Sequence, residues 1–545
     1  MVETLVQSGL KRAVVSPGSR STPLAVALAR HPNIDAIPIV DERSAAFFGL
    51  GMARASHTPV VLLCTSGSAG AHYLPALIEA KETSTPLIAI TADRPPEMRE
   101  CASGQTIDQH RLFGNYAAWY HELAVPELDE GRFNYLRQVT RQAWGRSQQN
   151  GPVHLNQPFR DPLPPVSDGG VAETWVNTLP DNFFELSPPP EFERSKARLK
   201  QRLTTQKGVI IAGPAMPEDP VAYSEHILGL SAATGWPILA DALSPLRQSA
   251  SDGDAVIAGY DIILRDSKVA WDLAPRFVIA LGSWPTSKVL RSWLEESEAE
   301  MLMISEHSGS RDAVHGRTRE ITASPLSLEI ETSSEANRAY AGEWRTAETR
   351  VQQKAAEWMA TDKSNGFEGK VTFELSWLIP NQANLVVASS MPVRDLEYFW
   401  PTSDRGIKVY ASRGANGIDG TLSTALGVAH ASDQPTFLLT GDLAFLHDSN
   451  GLMGARELDG ALTVILINNS GGRIFEHLPI AEIDSSFDRF FTTPPQVDFA
   501  QLCGAHGVSH RVVNSIADPA LVNEVGAPGM RVWELRTDGK KDAVT

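Results

Sequence analysis

The chain has 545 residues, of which 42% are hydrophobic and 21% charged, with 41 Gly and 36 Pro, a composition of folded domains and not of disordered or fibrous chains. Its length exceeds what one hydrophobic core supports and predicts two to four domains. The formal net charge of −17, from 48 Lys plus Arg against 65 Asp plus Glu, offers no general attraction to a phosphodiester backbone or an anionic bilayer, so nucleic acid and membrane are not expected as partners. An acidic chain that binds anions has to gather its cations locally. The three cysteines, Cys64, Cys101 and Cys503, form no Cys-x-x-Cys or Cys/His cluster, which excludes a disulfide framework or zinc site and predicts a reducing, cytoplasmic setting. Residues 1–12 lack the basic start and apolar centre of a secretory signal, and no run approaches the roughly 20 apolar residues of a membrane helix.

Taken in chain order, residues 13–15, 37–40, 60–65 and 87–91 are short apolar runs, and residues 22–30, 43–55 and 69–82 between them have helical spacing. That alternation predicts an α/β fold with a parallel sheet. Open sheets of this kind bind ligands beyond the carboxyl ends of their strands. The loops at that edge are Ser16-Pro17-Gly18-Ser19-Arg20, Asp41-Glu42-Arg43, Thr65-Ser66-Gly67-Ser68 and Ala92-Asp93-Arg94-Pro95.

Prolines at 162, 164, 165, 180 and 188–190 predict a linker. A second alternating block follows, with strand-like runs at 209–211, 238–239, 277–281 and 301–304. The charged stretch 329–363 has helical spacing and leads to a third block, with runs at 385–388, 407–411, 436–439 and 464–467. The expected division is a first α/β domain over 1–165, a linker over 166–190, a central non-catalytic α/β domain over 191–345 and a last α/β domain over 346–545. Three blocks of similar size suggest a duplicated architecture.

Two strand ends in the third block carry the sharpest chemical signal. Thr440-Gly441-Asp442 closes one apolar run, and Asn468-Asn469-Ser470-Gly471-Gly472 closes the next. Either piece alone reads as a helix cap or a turn. Together a carboxylate, an amide oxygen and a loop carbonyl supply the hard oxygen ligands that Mg²⁺ takes, with a bound diphosphate completing the octahedron.

This pair resembles the Gly-Asp-Gly…Asn-Asn signature of thiamine diphosphate enzymes, with Leu443 where the third glycine stands and 24 residues between Leu443 and Asn468. The resemblance implies that Asp442, Asn469 and the carbonyl of Gly471 hold Mg²⁺ (or Mn²⁺) against the cofactor diphosphate, with Ser390, Gly417, Ile418 and Gly441 beside the cofactor. It also implies a glutamate against N1′ of the aminopyrimidine, where it promotes the imino tautomer that activates the thiazolium carbon. Glu42 stands where the superfamily places that residue. A plain acidic first-turn residue behind an Asp41 cap gives the same local sequence.

The anion-binding loops narrow the resemblance. Residues 16–25, 41–45, 65–69, 91–97 and 412–420, supported in the middle by Trp236-Pro237-Ile238-Leu239-Ala240-Asp241 and Thr286-Ser287-Lys288, resemble the 2-succinyl-5-enolpyruvyl-6-hydroxy-3-cyclohexene-1-carboxylate (SEPHCHC) synthases, the thiamine diphosphate-dependent transferases of menaquinone biosynthesis. The implied substrates are 2-oxoglutarate and isochorismate, both dianions. Guanidinium forks match carboxylates bidentately, which makes Arg20, Arg94, Arg394 and Arg413, with Lys288, candidate substrate-binding residues, and the resemblance adds Ser19 and Gln105 and an apolar wall of Ile474, Phe475 and Leu478. The candidate catalytic groups are Glu42, Gln105, Arg394 and Arg413. The family pairs its first and last domains across chains, implying a homodimer or homotetramer with sites between subunits. Compared with that family, the leading helix is expected to be shortened. Glu476 and His477 read as exposed helical residues, and Thr492-Thr493-Pro494-Pro495 receives no role. Two other readings stay open: an acetohydroxyacid synthase or 2-oxoacid decarboxylase with the same cofactor, and a non-catalytic α/β protein that binds a metabolite.

Overall fold

A computed structural model describes residues 1–165, 170–180, 182–184, 199–202, 207–251, 255–306, 311–331, 335–361, 364, 366–482 and 486–544. Strands such as Val60–Cys64 and Leu87–Asp93 are buried along their whole length, as parallel strands covered on both faces have to be. The first sheet has six parallel strands in the spatial order Asp35–Pro38, Arg12–Val15, Val60–Cys64, Leu87–Asp93, Val153–Pro158, Trp119–Glu122. The last sheet runs Lys408–Ala411, Asn384–Val387, Thr436–Gly441, Ala461–Asn468, Gly529–Arg536, Ser509–Val512. Numbered within each sheet, both have the order 2-1-3-4-6-5, so the two outer units repeat one topology. The middle sheet differs, with Val256–Ile257, Ile238–Ala240, Gly208–Ala212, Phe277–Leu281, Glu300–Ser305 and Arg317–Thr322 in the order 3-2-1-4-5-6. A separate parallel pair joins Leu199–Arg202 to Leu328–Glu331.

Local differences from the sequence reading have local causes. The strand expected at 37–40 is Asp35–Pro38, because Asp41 caps the following helix through the N–H groups of Arg43 and Ser44 and leaves Val40 66% exposed. The helix expected at 69–82 is split into a 3₁₀ turn, Gly67–Tyr73, and an α-helix, Leu74–Glu82, with Pro75 in its first turn. The charged segment opens with the strand Leu328–Glu331 before the helix Glu335–Met359, and Lys363 lies outside the described residues. Within the Pro-rich stretch, the proline-free part carries a short helix, Val171–Asn177, while 166–169, 181 and 185–190 lie outside the described residues. A six-residue helix, Val2–Gln7, precedes the first strand. Among the described residues no helix is long and apolar enough to cross a membrane.

The first and last units share one core. The helix Glu42–Ser56 crosses the helix Thr421–His430, and Phe47, Phe48 and Leu50 of the first lie in one buried cluster with Leu422, Leu426 and Phe445. The crossing is close because both helices carry glycine at the contact. A Cβ on Gly51 would lie 2.1 Å from the Thr424 carbonyl oxygen, and one on Gly427 would lie 2.0 Å from that of Phe48. Gly427→Ala is expected to lower stability by about 1–3 kcal/mol through overpacking, read as a lower urea midpoint, whereas an alanine at Gly229, where a Cβ meets nothing within 4 Å, should be tolerated.

Candidate active site

Strand pairing brings the two chemical strand ends together. Gly441 lies opposite Ile467 in adjacent parallel strands, so Asp442 and Asn469 leave the sheet side by side. Asp442 opens the helix Asp442–His447; its Oδ1 accepts from Leu443 N at 2.7 Å and its Oδ2 from Gly471 N at 2.8 Å. Gly471 has φ +117°, and a Cβ there would sit 2.1 Å from the Thr492 carbonyl oxygen, so this turn requires glycine. The Asn469 amide donates through Nδ2 to Glu368 Oε1 at 2.9 Å, and its Oδ1 is buried without a partner. Burial lifts the Asp442 carboxyl to about 6. A buried carboxylate and, at the adjacent strand end, an orphaned amide oxygen are donors suited to a hard cation, which would relieve both. Among the described residues no group of three or more His, Cys, Asp or Glu gathers to hold a metal.

Arg473 donates to the Asn469 carbonyl at 3.2 Å, and further cations follow the neighbouring strands of the same sheet. Ser390, at φ +77°, precedes the helix Met391–Phe399, and Arg394 donates to its carbonyl at 2.5 Å. Arg413 has its guanidinium pulled below the usual range, chiefly by burial, with Arg394 opposing its charge and Asp241 favouring it. Asp241 also accepts from Thr286 N at 2.7 Å, which brings the loop before Lys288 to this side. Lys288 is exposed at the start of the helix Lys288–Ser297. Gly417 lines a small cavity with Phe47, Glu79 and Asp419, and Ile418 follows it, half-buried. Ile474 and Phe475 are half-buried, Phe475 meeting Phe491 edge-on at 5.6 Å, and Leu478 is 42% exposed. His477 is exposed, while Glu476 pairs with Arg473 at 2.8 Å.

The first unit holds a second set. Arg20 is 5% exposed and donates to the Phe159 carbonyl at 2.9 Å, with Asp161 3.7 Å away; Ser19 beside it is exposed. Arg94 donates to Ser66 Oγ at 2.9 Å and to the Gly104 carbonyl at 3.0 Å. Gln105, at φ +55°, donates to the Ser66 carbonyl at 2.9 Å, so Arg94 and Gln105 converge on Ser66. Burial, and then the charge of Arg20, lower the Arg94 guanidinium. Glu42 is the first helical residue behind the Asp41 cap, and its charge acts on the buried Cys64 and Tyr73. Its neighbours bond to the last unit: Asn450 Nδ2 to Asp41 Oδ2 at 2.6 Å and Arg43 to the His447 carbonyl at 2.9 Å. Within the chain Glu42 therefore lies by the far end of the helix that Asp442 opens, a helix about 9 Å long.

Sequence reasoning missed the buried supports. Glu79, 2% exposed, pairs with Arg54 at 2.6 Å and accepts from Gly414 N at 3.1 Å and Ala415 N at 2.7 Å, while Arg54 donates to the Ala411 carbonyl at 3.1 Å. This pair pins the loop that carries Arg413, Gly417 and Ile418. The available signal was an acid on the buried face of Leu74–Glu82, three residues after Ala76. Glu368 was equally silent, since a glutamate in a first helical turn reads as a dipole partner.

Three family descriptions match along the chain: thiamine pyrophosphate enzyme, N-terminal TPP binding domain, over residues 1–112; middle domain of thiamine pyrophosphate, over 174–387; and thiamine pyrophosphate enzyme, C-terminal TPP binding domain, over 396–526. The SEPHCHC synthase of Synechococcus elongatus is 46% identical over 550 residues, covering 100% of this chain and 93% of that protein. The synthase of the same name from Trichormus variabilis is 46% identical over 566 residues, covering 99% and 94%. Among solved structures, benzoylformate decarboxylase from Polynucleobacter necessarius superposes with a TM-score of 0.65 at 14% identity, covering 99% of this chain and 98% of that one. A Mycobacterium smegmatis protein described as thiamin diphosphate-dependent gives a TM-score of 0.63 at 17% identity, covering 98% of each chain. These two share the fold. Glu79→Ala would leave Arg54 buried without its carboxylate, and the expected loss of about 3–5 kcal/mol is checked by chemical denaturation against wild type.

Proposed function

Because the chain belongs to the family of thiamine diphosphate-dependent SEPHCHC synthases, we propose that the two residue sets are the halves of one active site, completed between two subunits. The enzyme decarboxylates 2-oxoglutarate and joins the remaining succinyl unit to isochorismate by conjugate addition, releasing CO₂, in menaquinone biosynthesis. Bound thiamine diphosphate supplies the electron sink for the pair left behind by CO₂. Asp442, Asn469 and the Gly471 carbonyl would hold Mg²⁺ or Mn²⁺ against the diphosphate, with Ser390, Gly417, Ile418 and Gly441 beside it. Glu42, contributed by the second subunit, holds the proton at the aminopyrimidine nitrogen.

One observation carries the substrate assignment. Arg94 and Arg413 are each lowered chiefly by burial and stand within electrostatic reach of a second arginine, Arg20 and Arg394 respectively, with Asp161 and Asp241 acting the other way. A like-charged pair held partly out of water is relieved by a dianion, and both substrates are dianions. Lys288, Gln105 and Ser19 add donors at the rims, and Ile474, Phe475 and Leu478 give an apolar wall that keeps water from the reacting carbons. The outcome, addition to the ring alkene instead of protonation, then rests on positioning.

The pairing of subunits is supported by the place of Glu42 and by apolar surface. Val40, beside Glu42, is 66% exposed, and Phe490 and Leu478, beside the metal side, are 65% and 42% exposed. A homodimer or homotetramer would cover them. The free cysteines Cys64, Cys101 and Cys503 agree with a cytoplasmic location.

The purified protein with thiamine diphosphate, Mg²⁺, 2-oxoglutarate and isochorismate is expected to consume isochorismate, followed by its absorbance, only when all four are present; turnover of pyruvate in place of 2-oxoglutarate would shift the assignment to an acetohydroxyacid synthase or a decarboxylase. Arg94→Met or Arg413→Met should raise the KM for a dicarboxylate by about 30-fold or more, the equivalent of losing about 2 kcal/mol from a desolvated charge pair. An unchanged KM for both substrates would remove that arginine from the site.

A further inference from the structure

The Asn469 amide can present either an oxygen or an NH₂ group to the cation position, and only the oxygen binds a cation. Its Nδ2 donates to Glu368 Oε1 at 2.9 Å, and that same Oε1 accepts from Thr537 Oγ1 at 2.8 Å. A carboxylate oxygen only accepts, so Oε1 takes both bonds. An acceptor there excludes the flipped amide, which would set two oxygens against each other. It leaves Asn469 Oδ1 as the free end of the amide, buried and unpartnered, on a strand end adjacent to that of Asp442.

Glu368 is itself held firmly. It is 2% exposed and opens the helix Glu368–Leu378, and its backbone N–H donates to Asp542 Oδ1 at 2.7 Å. Thr537 directly follows the strand Gly529–Arg536, and Asp542 lies in the short helix Gly539–Val544, so the last segment of the chain grips Glu368 through both its side chain and its backbone. Among the described residues its side-chain bonds go to Asn469 and Thr537.

We propose that Glu368, anchored by Thr537 and Asp542, is a positioning residue of the metal site, setting the Asn469 amide so that its oxygen faces the cation. The inference rests on the reading of Asn469 as a metal ligand. Groups that orient metal ligands from behind are typically worth about 10–100-fold in metal affinity.

The test is a calorimetric titration of Mg²⁺ into protein saturated with thiamine diphosphate, without substrates. Glu368→Ala is expected to weaken Mg²⁺ binding by about 10–100-fold, and Glu368→Gln, which keeps an acceptor oxygen, to stay near wild type. Asn469→Ala should weaken it as well, and adding Glu368→Ala to that variant should change the affinity by less than about twofold, because Glu368 acts through Asn469. Wild-type affinity in Glu368→Ala, or additive losses in the double variant, overturns the inference. Wild-type affinity in Asn469→Ala overturns the ligand reading beneath it. Should Glu368→Ala fail to fold, Thr537→Val carries the same comparison: weaker Mg²⁺ binding alone and no further effect beside Asn469→Ala support it, and an unchanged affinity overturns it.

Discussion

The contact on which the rest of the molecule depends is the close crossing of the helices Glu42–Ser56 and Thr421–His430. Where Gly51 meets the Thr424 carbonyl and Gly427 meets that of Phe48, there is no room for a side chain, so the two backbones set the distance between the outer units. Every functional loop hangs from one of these helices or from the strands beneath them. Glu42 opens the first helix and Arg54 stands in its last turn; Gly420 caps the second, directly after the loop that carries Arg413, Gly417 and Ile418. In the proposed dimer, a helix that presents Glu42 at one end and pins its own chain's loop at the other would couple dimer geometry to loop geometry.

An acidic protein that handles two dianions faces an electrostatic conflict, and the structure resolves it by burial. Arg20 is buried and Arg94, Arg394 and Arg413 are half-buried, where solvent screens their charges less than it does on an open surface. Arg20, Arg94 and Arg394 are held by carbonyl or hydroxyl partners at strand ends, with the Asp161 carboxylate 3.7 Å from Arg20 and none bonded directly to Arg94 or Arg394 among the described residues. Arg54 and Arg247 show the contrast: each is buried against a carboxylate, Glu79 at 2.6 Å and Glu397 at 3.5 Å, and each fastens one unit to another. Arginine thus serves two purposes here, and the partner distinguishes them.

The metal side has the opposite problem. In the proposed metal site Asp442 and Asn469 would supply only part of the coordination shell, with the diphosphate supplying further oxygens, so that metal and cofactor would bind interdependently. Such a site gains from ligands that are already oriented. The backbone N–H groups of Leu443 and Gly471 fix the Asp442 carboxylate, and Glu368 fixes the Asn469 amide.

Much of this was legible in the sequence. Apolar runs of strand length alternating with amphipathic ones specify parallel sheets, because that pattern buries both faces of each strand, and the residues just past each run are then bound to lie along one edge. Asp442 and Asn469 could therefore be read as neighbours, and the arginines and Gln105 as edge residues, from local pattern and resemblance alone. What the sequence could not show is which residues from distant segments meet. Glu79 and Gly414, 335 positions apart, and Glu368 and Asn469, 101 apart, are joined only because the units pack at one particular distance and angle. Period and composition carry no record of that geometry, so the buried acids that hold the loops looked like ordinary helical glutamates. The sequence by itself determined the strands, their edge and the chemistry placed on it; the tertiary structure alone decided what holds that chemistry still, since a hydrogen bond between remote groups depends on packing that no local pattern encodes.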